Sequence, residues 1–112
     1  MKILTIFTGG TIGCLQGDNY GIDVRQETTD MLMQRYEKSR EDEIEFTKKV
    51  PFFSLSETRT PEDILALIRC IRDNLKNKHD GVIVTHGTDT MPFVSSALAY
   101  ALADLEVPVV LT

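Results

Sequence analysis

Tryptophan is absent from the 112 residues, aromatic residues make up 7%, and there are two cysteines, Cys14 and Cys70. Two thiols are far short of a disulfide framework, so free cysteines in a reducing cytoplasm are the expected state. Cations are also scarce, with 12 Lys and Arg against 17 Asp and Glu and a net charge of -5. This argues against a general nucleic-acid-binding face, because phosphate contacts need clustered basic side chains. The densest charge run, EKSREDEIE at 37–45, mixes both signs and reads as a solvated face. No apolar stretch approaches the roughly 18 residues that would span a membrane. The opening MKILTIFTGG has one lysine and a short apolar run, without a signal-length apolar core or a small-residue cleavage site. Repeats and low-complexity tracts are missing too. What is present, 42% hydrophobic and 26% charged residues, suits one soluble cytoplasmic domain with a single core.

The elements follow from pattern and punctuation. KILTIF (2–7) is β-rich and bounded by glycines, a strand. CLQGDNYGIDV (14–24) has turn formers at its centre and apolar flanks, which predicts a hairpin or flap. TTDMLMQRYE (28–37) reads as a short helix capped by Thr28 or Thr29. EIEFTKKV (43–50) alternates, as in a strand with an exposed face or at an edge, and a loop follows over 51–59. TPED (60–63) opens a helix with a threonine cap, a proline in the first turn and acids facing the dipole. Ile64, Leu65, Leu67, Ile68, Ile71 and Leu75 continue it as a stripe, to an end near 76–78. GVIVTH (81–86) reads as a strand buried on both faces. MPFVSSALAYALADL (91–105) reads as a deeply packed helix, and VPVVLT (107–112) as another buried strand. Strands alternating with helices imply an α/β fold: a three-layer parallel sheet of about four strands with helices on both faces.

Ligands of parallel α/β sheets bind at the carboxyl ends of the strands. Three such ends are polar: Thr8-Gly9-Gly10-Thr11, then Ser54, Ser56, Glu57 and Thr58, then His86-Gly87-Thr88-Asp89-Thr90. If the strands are neighbours, hydroxyls and two carboxylates converge. A phosphate cradle is disfavoured, because the glycines lead into the flap rather than a helix, and neither GxGxxG nor Gly-Lys-Ser/Thr is matched. A nucleophilic threonine is the competing reading. It needs a group to take its proton and donors for the oxyanion, and glycines let backbone N–H groups come close. On the flap, Tyr20 could polarise or deprotonate a hydroxyl, and Asp89 could hold a substrate ammonium. On spacing alone the motifs also fit a plain turn and a helix-capping aspartate.

TGGTIG (8–13) and VTHGTDTM (84–91) together resemble the two signatures of the bacterial-type L-asparaginase family, in the family's order and at about its separation. NYGI (19–22), SLSETRTPED (54–63) and the terminal VPVVLT are similar to the matching regions, most closely those of the cytoplasmic type I members. The resemblance runs the length of the chain. It implies hydrolysis of the asparagine side-chain amide to aspartate and ammonia. Thr11 would be the nucleophile and form an acyl-enzyme. Tyr20 would assist from a flap that closes over the substrate, and Thr88 would be the second catalytic threonine. Asp89 would bind the α-ammonium and Ser56 the α-carboxylate, with Glu57 beside it. Gly10 and Gly87 would keep the backbone close to the ligand. The implied partner is a small amino-acid substrate; no metal or organic cofactor is expected, and neither nucleic acid nor membrane.

Other reactive side chains are assigned structural places. His86 is not the family's base and reads as a strand-end histidine. Cys14 reads as a small buried hydrophobe, and His79, in the polar turn KNKHDG, as exposed. Met31, Met33 and Met91 read as packing. Family chains are about three times as long, with a further site loop, a lysine that pairs with the Thr88-Asp89 element, and a smaller carboxy-terminal domain. Residues 1–112 correspond to the amino-terminal domain alone, and none of the lysines at 2, 38, 48, 49, 76 and 78 occupies the missing position. Two alternatives therefore stand beside the hydrolase: a silent remnant that binds a small amino acid, and an oligomerisation module. A homo-oligomer is expected in each case.

Overall fold

The computed structural model describes residues 1–10, 14–16, 22–24, 27–38, 43–76 and 78–112. Strand β1 (Lys2–Phe7) leads to the short strands β2 (Cys14–Gln16) and β3 (Ile22–Val24), then helix α1 (Glu27–Lys38) and strand β4 (Glu45–Lys49). A 3-10 turn at Ser56–Thr58 precedes helix α2 (Pro61–Leu75), strand β5 (Gly81–Thr85), helix α3 (Met91–Ala101) and strand β6 (Val109–Leu111). Four strands form one parallel sheet in the order β4-β1-β5-β6, and β2 pairs with β3 antiparallel, Cys14 opposite Val24. The expected parallel sheet and hairpin are both present.

Strand alternation divides the sheet into two faces. Leu4 and Ile6 of β1 and Val82 and Val84 of β5 point to one face, where Leu67 and Ile71 of α2 and Val94 and Leu98 of α3 complete a buried core. Burying each such aliphatic side chain contributes roughly 1.5–3 kcal/mol. On the other face, α1 rests Tyr36 edge-on against Phe46 of β4, with ring centroids 5.1 Å apart, and its Asp30 pairs with Lys48. Between α1 and this face, Ile3, Thr5, Phe7, Met33, Phe46 and Ile83 line an apolar cavity of about 400 Å³. The helices thus cover both faces.

Helix α2 starts as its sequence dictates. Asp63 N–H donates to Thr60 Oγ1 at 3.3 Å, and Thr60 N–H donates to Asp63 Oδ2 at 3.0 Å, a reciprocal cap.

Five local expectations are corrected. Thr28 and Thr29 lie in the first turn of α1 rather than at its cap, because the helix begins at Glu27, where an acid suits the dipole. Helix α3 stops at Ala101, not 105, because Arg72 of α2 takes Ala101 O at 2.6 Å and grips Asp104 at 2.7 and 3.1 Å. Nor is α3 deeply packed, since Phe93 and Tyr100 are 71% and 88% exposed. Strand β6 is an edge strand with Val110 exposed, not a buried one. Finally, His79 is buried: its Nδ1 meets Asn74 O at 3.1 Å and its Nε2 meets Thr47 Oγ1 at 2.9 Å. Cys70 is a free thiol, and burial raises its pKa.

Candidate functional site

From β1 the chain runs out to β4 on one side and then crosses to β5 on the other. The connections leaving β1 and β5 therefore run to opposite sides of the sheet, the arrangement at whose strand ends ligands of parallel α/β folds bind. Thr8 anchors the first loop. Its Oγ1 donates to Thr85 O at 2.8 Å, and its own carbonyl accepts Ser54 N–H at 3.3 Å. Gly9 forms a bridge with Ser54, so the loop after β4 is fastened alongside.

Gly9 and Gly10 have φ of +92° and +80°, a region that favours glycine. The space is equally restrictive. A Cβ on Gly10 would overlap Gly87 N and lie 2.6 Å from Gly87 Cα. A Cβ on Gly87 would come within 2.5 Å of Ser56 Cβ and closer still to Ser56 Oγ. Glycine at both positions lets three loops touch through bare backbone.

Ser56, 2% exposed, donates from Oγ to Asp89 Oδ2 at 3.0 Å. Thr90 Oγ1 donates to Ser56 O at 3.1 Å, a second tie between the same loops. The structure therefore gathers Gly10, Ser56, Gly87 and Asp89 into one cluster. Thr88 and Glu57 are exposed neighbours of Asp89 and Ser56. Thr11 and Tyr20 lie outside the described residues.

His86 is buried behind the crevice with Nδ1 2.7 Å from Gly87 O. A carbonyl partner places the proton on Nδ1, so the neutral ring offers Nε2 as an acceptor, and Nε2 has no protein partner among the described residues. Burial pushes the His86 pKa below its ordinary value; the Gly87 hydrogen bond opposes this, and the Arg59 cation adds to the lowering. A neutral, enclosed ring fits the expected structural place. Among the described residues no group of three or more His, Cys, Asp or Glu could hold a metal ion.

Arg59 was not singled out by sequence reasoning, nor were Thr8, Ser54 and Thr90 as fasteners. Arg59 Nη1 donates to Ser54 Oγ at 2.9 Å and Nη2 to Thr8 O at 3.0 Å, with the guanidinium 4.4 Å from the centroid of the Phe52 ring. The available signal was an arginine between a polar loop and a helix cap, a pattern with no distinctive spacing.

The architecture is that of a parallel α/β domain whose strand ends bring a serine, an aspartate and paired glycines into a single cluster. Residues 2–112 match the family model described as "Asparaginase, N-terminal". The chain belongs to the asparaginase family, through that family's amino-terminal domain. It is similar to L-asparaginase of Thermococcus kodakarensis, 33% identical over 112 residues that cover 100% of this chain and 33% of the relative. L-asparaginase 1 of Escherichia coli K12 is 33% identical over 113 residues, with 99% of this chain and 33% of that protein covered. A glutamyl-tRNA(Gln) amidotransferase polypeptide of Methanosphaera stadtmanae is 37% identical over 105 residues, covering 94% of this chain and 24% of that polypeptide. The solved structure of the Thermococcus kodakarensis enzyme superposes with a TM-score of 0.80 at 30% identity, covering 99% of this chain and 33% of that one. The chain thus spans between about a quarter and a third of the length of these relatives.

Proposed function

We propose that the chain carries asparaginase-type amidohydrolase chemistry, converting the side-chain amide of L-asparagine to aspartate and ammonia. The observation that carries this reading is the Ser56–Asp89 hydrogen bond between the second and third loops. An α-amino acid is a zwitterion. Its ammonium matches Asp89 and its carboxylate matches the Ser56 hydroxyl, so the substrate exchanges one internal contact for two charge-assisted ones. Glu57 stands at the polar end of the ligand, while Gly10 and Gly87 keep the backbone low around it.

Held there, the substrate presents its amide carbonyl to the threonines. Thr11 Oγ attacks the carbonyl carbon, its proton passing to a base, with Tyr20 assisting from the flap. The tetrahedral oxyanion collapses, the C–N bond breaks, and nitrogen takes up a proton and leaves as ammonia. Water, positioned or activated by Thr88, then attacks the acyl ester, releasing aspartate and restoring the Thr11 hydroxyl. No cofactor enters these steps. The setting proposed is cytoplasmic and the assembly a homo-oligomer; among the described residues no helix is long and apolar enough to cross a membrane.

Ammonia release from L-asparagine by this chain, with Thr11→Ala beside it, tests the proposal. Release lost in the variant supports Thr11 as the nucleophile. No release from either leaves the amino-acid-binding reading, which titration with L-aspartate then examines. A second reading comes from the 37% identity to an amidotransferase polypeptide. In it, the freed nitrogen passes to an acceptor, and amide nitrogen recovered entirely as free ammonia with glutamyl-tRNA(Gln) present counts against that.

A further inference from the structure

We propose that Arg59 is a positioning residue of this site: its forked guanidinium sets the separation between the loop after β1, which leads to Thr11, and the loop that carries Ser56 and Glu57. The inference rests on the hydrolase reading for its kinetic consequence, though not for its geometric one.

Both terminal nitrogens are spent on the site loops, while Nε is buried without a partner among the described residues. Nη2 donates to Thr8 O at 3.0 Å and reaches Ser54 O at 3.5 Å, while Nη1 donates to Ser54 Oγ at 2.9 Å. Thr8 O thereby takes two donors, Arg59 Nη2 and Ser54 N–H, which use both of its lone pairs. Thr8 lies three residues before Thr11 in the sequence. The main chain of Arg59 works on the other side, where its N–H donates to Ser56 O at 3.2 Å, the carbonyl that also receives Thr90 Oγ1. The fork therefore ties the first loop to the second, and Ser56 O, which accepts the Arg59 N–H within the second loop, also accepts Thr90 Oγ1 of the third.

The chemistry of the contacts separates this from an ordinary surface ion pair. No carboxylate lies within ion-pair distance of Arg59 among the described residues; Asp63 attracts it only at longer range. Burial weakens its hold on the proton, so the placement is costly, and the cation is answered by a carbonyl, a hydroxyl and the face of Phe52. A planar fork with fixed donor directions sets a distance between two acceptors in a way that a flexible ammonium does not.

The test compares the full chain with Arg59→Met and Arg59→Lys. Met keeps a stem on Phe52 without donors or charge; Lys keeps the charge without the fork and is the safer variant for folding. Ammonia release from L-asparagine gives kcat and KM, and amide NMR gives the resonances of Gly10 and Gly87. With the nucleophile loop displaced and the Ser56–Asp89 pair intact, kcat should fall about tenfold or more with KM within about threefold, since small misplacements of reacting groups slow chemistry. The Gly10 amide should shift in both variants, and Lys should not restore kcat. Three outcomes overturn the proposal: unchanged kcat in a folded variant, full recovery with Lys, or a rise in KM at constant kcat, which would make Arg59 a binding cation. If the unsubstituted chain releases no ammonia, the hydrolase reading fails separately. Arg59 is then judged by Gly10 alone: a shift in folded Arg59→Lys supports the clamp, and an unmoved resonance rejects it.

Discussion

At the residue scale, the crevice depends on atoms that are missing. Gly10 combines a φ of +80° with a path for Cβ straight into the Gly87 backbone. Gly10→Ala should therefore lose roughly 1–3 kcal/mol or more of stability, from strained backbone plus overlap, read as a lower urea midpoint. Gly87→Ala strikes Ser56 instead, so it should abolish L-aspartate binding, measured by calorimetry, through a displaced Ser56 hydroxyl. His86 supplies a pH prediction. Its pKa is lowered in the folded chain, mainly by burial. Below about pH 6.5 the unfolded chain takes up a proton that the folded site resists, so stability present at neutral pH is lost as pH falls. The urea midpoint should accordingly drop between pH 7.5 and 5.5, and drop less in His86→Asn. A midpoint that falls equally in both proteins would assign the effect to carboxylates elsewhere.

At the scale of elements, α2 is the best-defined piece, and its two ends are held by different means. The amino end is local: Thr60 and Asp63 cap each other. Thr60→Ala should cost about 1 kcal/mol, seen as a small fall in the thermal midpoint. The carboxyl end is tertiary, with Arg72 taking the last carbonyl of α3 and the Asp104 carboxylate. The middle is core, and Leu67, fully buried against β1 and β5, should cost roughly 2–5 kcal/mol when cut to alanine. Because α2 follows directly on the loop holding Ser56 and Arg59, its cap also fixes where that loop ends.

At the scale of the molecule, apolar surface is distributed unevenly. Phe93 and Tyr100 of α3 project outward, and Val110 sits on the edge strand β6. Exposed aromatics and an open sheet edge each favour self-association. Light scattering over a concentration series should show a mass above the monomer, and Val110→Lys should lower it. A monomeric mass at moderate concentration for the unsubstituted chain would remove that expectation.

Features that are local in cause were legible from the order of residues alone. A β-rich run made β1, a near-continuous apolar run made β5, the Thr60-Pro61-Glu62-Asp63 start made α2, and Thr-Gly-Gly with His-Gly-Thr-Asp marked two site loops at strand ends. Each of these depends on interactions within a few residues, or on a pattern that a neighbouring strand can only read in one way. The tertiary structure decided what depends on distant partners. His79 is buried because Thr47, 32 residues away, faces it across the sheet. Helix α3 ends where Arg72 reaches it, and β6 stays half-exposed because it lies at the edge of the sheet. Ser56 meets Asp89 only because β4 and β5 flank β1, which carries their loops to the same end of the fold. Arg59 gains its place in the same way: its acceptors, Thr8 and Ser54, become neighbours only once the parallel sheet is assembled.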